Sequence, residues 1–319
     1  MPKPKAAPSR SCRIITCLLA SLLLTSATEA HDSKDQKIDL GGYRLHAITS
    51  GDGTPTVVFE SGMGEDLTTW RDVQPAIAKS TRTFMYDRAG LGQSDPSPHP
   101  RDAKHMAMEL RALLHKAEVR GPYILVGHSL GGWIISIFAH LYPKEVAGLV
   151  LVDPAFQETR LRARMTSQQW AEREKAIARY TDKMTKYQQM EKEAITLSGE
   201  HARQAFPMLK VPVVLLTGTR TNPDFPSSLL EKEVKMQVHQ EWVARVPWTE
   251  HIMVAESRHY IQNEAPAIVI SSIQKVLKRA AEHHIHPRLN RPSVELNLIG
   301  IWHNNCQAAG KILDTLVSG

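Results

Sequence analysis

The stretch Pro122-Tyr123-Ile124-Leu125-Val126-Gly127-His128-Ser129-Leu130-Gly131-Gly132 decides what this chain folds into. An apolar, β-rich run enters it and the helical stretch Trp133 to Leu141 leaves it. A bare G-x-S-x-G turns up often by chance, but a strand running in and a helix running out is the setting of a nucleophile elbow. In that turn the serine sits on a strained bend, and glycines two before and two after it give the neighbouring backbone room to pass. The bend lifts the Ser129 hydroxyl clear of the sheet and places it at the amino end of a helix, where developing negative charge is favoured.

Outward from this point, short apolar runs alternate with amphipathic stretches, the pattern of a mostly parallel sheet covered by helices. Strands are expected near Tyr43 to Ile48, Thr56 to Glu60, Thr81 to Tyr86, Tyr123 to Gly127, Gly148 to Val152, Val211 to Thr217 and His251 to Ala255, with an eighth around Ile38 to Leu40. Helices fit at Trp70 to Ala78, Asp102 to Ala117, Leu130 to Leu141 and Pro266 to Ala281. Gln157 to Gln204 breaks this rhythm: it is long, rich in Arg, Lys, Glu, Gln and Met, and holds no strand pattern. It is expected to form two or three helices lying as a cap, about 157–205, over the ligand crevice at the carboxyl edge of the sheet.

At 319 residues, 42% hydrophobic and 23% charged, the chain has the composition of a globular domain, which excludes disordered, collagenous and multi-span membrane classes. The net charge of +6 invites a nucleic-acid partner, but residues 1–30 carry Lys3, Lys5, Arg10 and Arg13 against Glu29, and without them it falls to +3. That segment has the layout of a secretory signal: a basic start, the apolar run Ile14 to Leu24, then small residues to Ala30. The apolar run is shorter than the roughly 20 residues a membrane-spanning helix needs, so export without a lasting membrane anchor is expected, to the periplasm or outside the cell. Cys12 and Cys17 would leave with the signal, and Cys306 alone cannot form an internal disulfide. The organisation read from the sequence is therefore a signal over 1–30, a domain over 31–286 and a tail over 287–319. His283, His284 and His286 lie close together, yet without a carboxylate or thiolate at ligand spacing they read as a solvated helix end, so no metal site is expected.

Three further stretches accompany the elbow. They are Val57 to Gly64, with Ser61-Gly62-Met63-Gly64 after a strand; Tyr86 to Asp95, a Gly-rich turn; and Ser257-Arg258-His259-Tyr260-Ile261-Gln262 ahead of the helix near Pro266. Four motifs in this order resemble the α/β-hydrolase fold superfamily, in its serine-hydrolase, esterase-like branch, from about Gly41 to Ala281. The resemblance implies an eight-stranded, mostly parallel sheet with a helical cap, and it implies roles for individual residues. Ser129 is the nucleophile and His259 the base. The backbone N–H groups of Met63 and Leu130 form the oxyanion hole, although Ser61 stands where the commoner loop has histidine. Two carboxylates compete for the acid, Asp153 after the strand ending at Val152 and Asp224 after Gly218; Asp153 is favoured. His128, His46 and His251 read as structural.

The expected chemistry is cleavage of a carboxylic ester, or a related acyl bond, in a small-molecule substrate through an acyl-enzyme, with no metal or organic cofactor. Ser61, Gly62, Trp133 and Phe156 are candidate substrate contacts, and Met63, Trp70, Met165, Trp170 and Met184 could add to an apolar acyl pocket. A cofactor-free oxygenase working through a His/Asp dyad on the same fold is the alternative, followed by a non-catalytic binding module. Dehalogenase and epoxide hydrolase chemistry needs aspartate at the elbow, where this chain has Ser129.

Overall fold

Every residue of the strand Tyr123–His128 is buried, as expected for a parallel strand covered on both faces rather than one alternating between core and water. A computed structural model of the chain describes residues 33–221, 228–246 and 248–285 and builds an eight-stranded sheet outward from this strand. In chain order the strands are β1 (Lys34–Asp39), β2 (Arg44–Ser50), β3 (Thr56–Glu60), β4 (Thr83–Tyr86), β5 (Tyr123–His128), β6 (Val146–Val152), β7 (Val213–Gly218) and β8 (Thr249–Val254). Their spatial order is β1-β2-β4-β3-β5-β6-β7-β8. At one edge β2 pairs antiparallel with both β1 and β4, and the remaining pairs are parallel.

Two apolar layers sandwich the sheet. On one face α2 (Ala103–Lys116) and α3 (Leu130–Leu141) pack Leu110, Ile134 and Phe138 onto Leu125 and Leu149. On the other, α1 (Gln74–Ala78) and α10 (Pro266–Ile285) pack Ile77, Ile273 and Val276 onto Val57, Val126 and Val150. The expected helix from Trp70 is two pieces, a 3₁₀ turn over Leu67–Trp70 and then α1; Asp66 caps the turn and Pro75 opens the helix.

Between β6 and β7 lie four helices, α4 (Glu158–Arg162), α5 (Ser167–Thr181), α6 (Lys186–Glu193) and α7 (Ile195–Ala205), one more than the upper expectation. Thr166 and Thr185 explain the division, since each closes a capping box with a glutamine three residues later. A further helix, α8 (Ser228–Arg245), follows β7 where none was expected, and α9 (Ile261–Glu264) is a single turn before α10. The segments 1–30 and 287–319, with Cys306 and His286, lie outside the described residues.

The cap is joined to the sheet by a buried ionic cluster. Arg88, 1% exposed, reaches Glu60 at the end of β3 at 2.8 Å and grips Glu191 of α6 with two nitrogens at 2.7 and 2.9 Å. The same guanidinium donates to the carbonyls of Ser61 and Gly62, and Glu191 accepts the Gly64 N–H at 2.8 Å. One arginine thus ties the loop after β3 to the cap. Removing one member of such a buried set leaves uncompensated charge, which typically costs about 3–5 kcal/mol. Arg88→Ala is expected to lose stability on that scale in urea unfolding, and a midpoint equal to wild type would show that the cluster does not hold the cap.

Candidate active site

β5, β6, β7 and β8 all end at one edge of the sheet, and the chemistry-bearing side chains come from the turns beyond them, where ligands bind in open α/β sheets. Ser129 has φ 51° and ψ −117°, a strained conformation for a residue with a side chain. Its flanking glycines are needed for space. A Cβ on Gly127 would lie 2.5 Å from the Gly131 carbonyl oxygen, and one on Gly131 would lie 2.4 Å from that of Glu60. The elbow is locked to β6 by the Ser129 N–H donating to the Val152 carbonyl at 3.2 Å.

Asp153, the next residue after β6, is fully buried and also in the left-handed region, at φ 43°. Its Oδ1 accepts the Gly218 N–H at 2.8 Å; its Oδ2 accepts from His259 Nδ1 at 2.7 Å and from Lys235 Nζ, on α8, at 2.8 Å. Burial pushes this carboxyl up, but the Lys235 ammonium and the hydrogen bond from His259 outweigh it and hold the group well below the usual carboxylate range. No side chain fits at Gly218, where a Cβ would meet the Arg258 carbonyl oxygen at 1.7 Å. Asp224 lies outside the described residues.

Behind Asp153 runs a satisfied chain of buried polar groups. His239 Nε2 donates to the Pro154 carbonyl at 3.0 Å, so its Nδ1 accepts from the Thr217 hydroxyl at 2.8 Å, and that oxygen takes the His251 Nε2 proton at 2.7 Å. Burial lowers His239 to about 3, so it is neutral in this chain. His251 is structural, as expected; His46 is bracketed by Asp87 and Asp35 at 2.7 and 2.9 Å.

His259 and Ser129 line one cavity of about 570 Å³ together with Phe156, Arg173, Lys235 and Tyr260. Burial lowers the His259 pKa, His128 and Lys235 press the same way, and the Asp153 bond only partly restores it. Of the expected oxyanion donors, Leu130 is the first residue of α3, whose N–H has no partner within the helix, and no acceptor among the described residues takes the Met63 N–H.

The candidate substrate contacts divide. Phe156 lines the cavity. Trp133, 2% exposed, is in the core, its ring against Gly199 of α7, and Trp70 is buried against Phe59, so neither reaches it. Ser61 is buried with its hydroxyl on the Asp66 carbonyl, and the Gly62 N–H is taken by Glu65. Met165 joins the core, while Trp170 stacks with the guanidiniums of Arg162 and Arg173. Of the residues expected in an apolar sleeve only Phe156 is among the cavity's described lining, which also carries charged side chains at its edge. The sleeve's residues are apolar in sequence because they fill the interface between cap and sheet.

The family model described as alpha/beta hydrolase fold matches residues 55–179. The fold of the chain is that of the α/β hydrolases. This α/β-hydrolase-fold chain is 37% identical over 146 residues to a probable transporter of Hormonema carpetanum, covering 43% of this chain and 21% of that protein. It is 34% identical over 113 residues to a putative carbamate hydrolase of Pseudomonas syringae, covering 35% of this chain and 42% of that one. These matches span less than half the length of the curated relatives. A thermophilic esterase from Thermogutta terrifontis superposes with a TM-score of 0.57 at 20% identity, over 77% of this chain and 99% of that one. Among the described residues there is no group of three or more His, Cys, Asp or Glu side chains placed to hold a metal ion, and no helix long and apolar enough to cross a membrane.

A base that must be neutral to accept a proton loses function as pH falls through its folded pKa. Because that of His259 is lowered, the acid limb of kcat/KM is expected below the ordinary histidine value of about 6.5. A limb above that value would contradict the site's electrostatics.

Proposed function

We propose that this protein is an exported serine hydrolase that cleaves carboxylic esters or related acyl bonds through an acyl-enzyme on Ser129. What carries the reading is that a strained, forward-presented Ser129 and an aspartate-bound His259 border the same cavity. His259 Nδ1 is committed to Asp153, which leaves Nε2 as the nitrogen that takes the serine proton.

Attack on the substrate carbonyl would place negative charge on its oxygen, and the N–H groups of Met63 and Leu130 are the donors proposed for it. Such a donor typically contributes about 2.7–4 kcal/mol to the transition state. The imidazolium then returns its proton to the leaving group, and water, activated by the same histidine, releases the acyl group. Asp153 stabilises the imidazolium, and the Gly218 N–H and Lys235 keep it aimed. The charged cavity rim favours short or polar acyl groups over the long apolar chains that an apolar acyl pocket would take.

A His/Asp dyad alone would also suit a cofactor-free oxygenase, so the serine is the discriminating residue. In a folded Ser129→Ala variant, ester turnover should fall to background without dioxygen uptake by the wild type; retained turnover, or oxygen consumption with a ring-bearing substrate, would remove the covalent mechanism. Asp153→Asn should lower kcat by about 10⁴ through the wrong histidine tautomer; activity near wild type would exclude Asp153 as the acid. Across p-nitrophenyl esters, kcat/KM should fall with chain length, and a rise towards decanoate would restore the apolar pocket. Export is tested by sequencing the amino terminus of the secreted protein, which should begin after Ala27 or Ala30.

A further inference from the structure

His128, next to the nucleophile, is fully buried and has an acceptor on each side of its ring. Nε2 lies 3.0 Å from the His259 carbonyl oxygen, which can only accept. Nδ1 lies 3.1 Å from Glu65 Oε2. That carboxyl oxygen already receives the Gly62 N–H at 2.9 Å and the Thr69 hydroxyl at 3.0 Å. Three donors converging on one oxygen are the geometry of an ionised carboxylate, so the proton on the Nδ1 contact belongs to the ring.

We propose that His128 is a permanent imidazolium, and that its pair with Glu65 positions the oxyanion loop and the base loop around Ser129. The proposal rests on the serine-hydrolase reading for its kinetic consequences but not for the charge of the ring. One partner holds the loop after β3 through Gly62; the other holds the carbonyl of the base itself. His128 and Glu65 are positioning residues, because neither borders the cavity in which Ser129 and His259 meet.

The groups facing this ring agree with a cation. From the loop after β3 comes Glu65, which His128 and the Gly62 N–H hold down at about 2 against the upward push of burial. From the loop after β8 come the Tyr260 ring, 5.1 Å away and tilted by 39°, within cation–π reach, and the His259 ring at 4.6 Å. Beyond His259 stand Asp153 and, from α8, Lys235. A neutral ring would leave either a donorless carbonyl contact or a carboxylate facing a lone pair. At Gly62 the approach is so close that a Cβ would lie 2.6 Å from Glu65 and 2.8 Å from His128 Nδ1, so the loop has no slack to relieve such a mismatch.

The direct test is nitrogen NMR of the full chain labelled at histidine, with His128→Gln used for assignment. Both ring nitrogens of His128 should be protonated at about pH 7.5, where an ordinary histidine is neutral. A neutral ring at pH 7.5 would overturn the proposal, and this readout stands even if the enzyme reading fails. In the folded variant, glutamine keeps a donor for the His259 carbonyl but removes the charge. With Glu65 left uncompensated, the acid limb of kcat/KM should move up by about half a pH unit, with kcat lower by roughly tenfold and KM within about threefold. A profile overlapping wild type, or a loss confined to KM, would show that His128 is only packing.

Discussion

A single buried oxygen, Oδ2 of Asp153, holds both His259 and Lys235, and the geometry of the site depends on it. An isolated carboxylate could not stay ionised at that depth; two cation-capable partners and one backbone N–H make it possible. Those partners come from β7, α8 and the loop after β8, so four elements must be in register before the oxygen is satisfied. The left-handed backbone at Asp153 is held by the same contacts. Lys235 has a second effect: its charge beside the shared oxygen disfavours the His259 imidazolium, so the ring is neutral to lower pH.

Around this point the loop after β3 is clamped from two directions. Arg88 takes the carbonyls of Ser61 and Gly62 from the cap side, and Glu65 takes the Gly62 N–H from the side of the elbow. Both clamps are ionic and buried, a costly way to gain stability alone. What they provide is a backbone that does not have to reorganise when charge develops next to it, which is the property an oxyanion site requires. The price of that rigidity is a cap that cannot move freely, since Glu191 of α6 belongs to the Arg88 cluster.

The sequence made the central strands legible because burial on both faces leaves unbroken apolar runs: β3, β5 and β7 are buried throughout and β6 nearly so. At the edge it marked only Ile38 to Leu40, the end of a longer strand. β1 reads Lys-Asp-Gln-Lys-Ile-Asp, with only Ile38 buried, and pairing with β2 rather than hydrophobicity makes it a strand. α8 was missed although Val234, Val238 and Trp242 recur at helical spacing, a stripe diluted by charged neighbours. Ser129, His259 and Asp153 could be nominated because each follows a recognisable strand. Lys235, His239 and Glu65 could not, because their partners lie 82, 85 and 63 residues away and no local pattern marks the contact. The aromatic side chains misled for a related reason: burial under the cap and burial in a substrate pocket leave the same apolar signature.

The most direct measurement is a crystal structure of the protein after reaction with an alkyl phosphonate ester that mimics the tetrahedral intermediate. The account predicts phosphorus bonded to Ser129 Oγ, its oxygen within about 3 Å of the Met63 and Leu130 N–H groups, and His259 still bound through Nδ1 to Asp153. An adduct on another residue, or a phosphonyl oxygen turned away from both N–H groups, would contradict it.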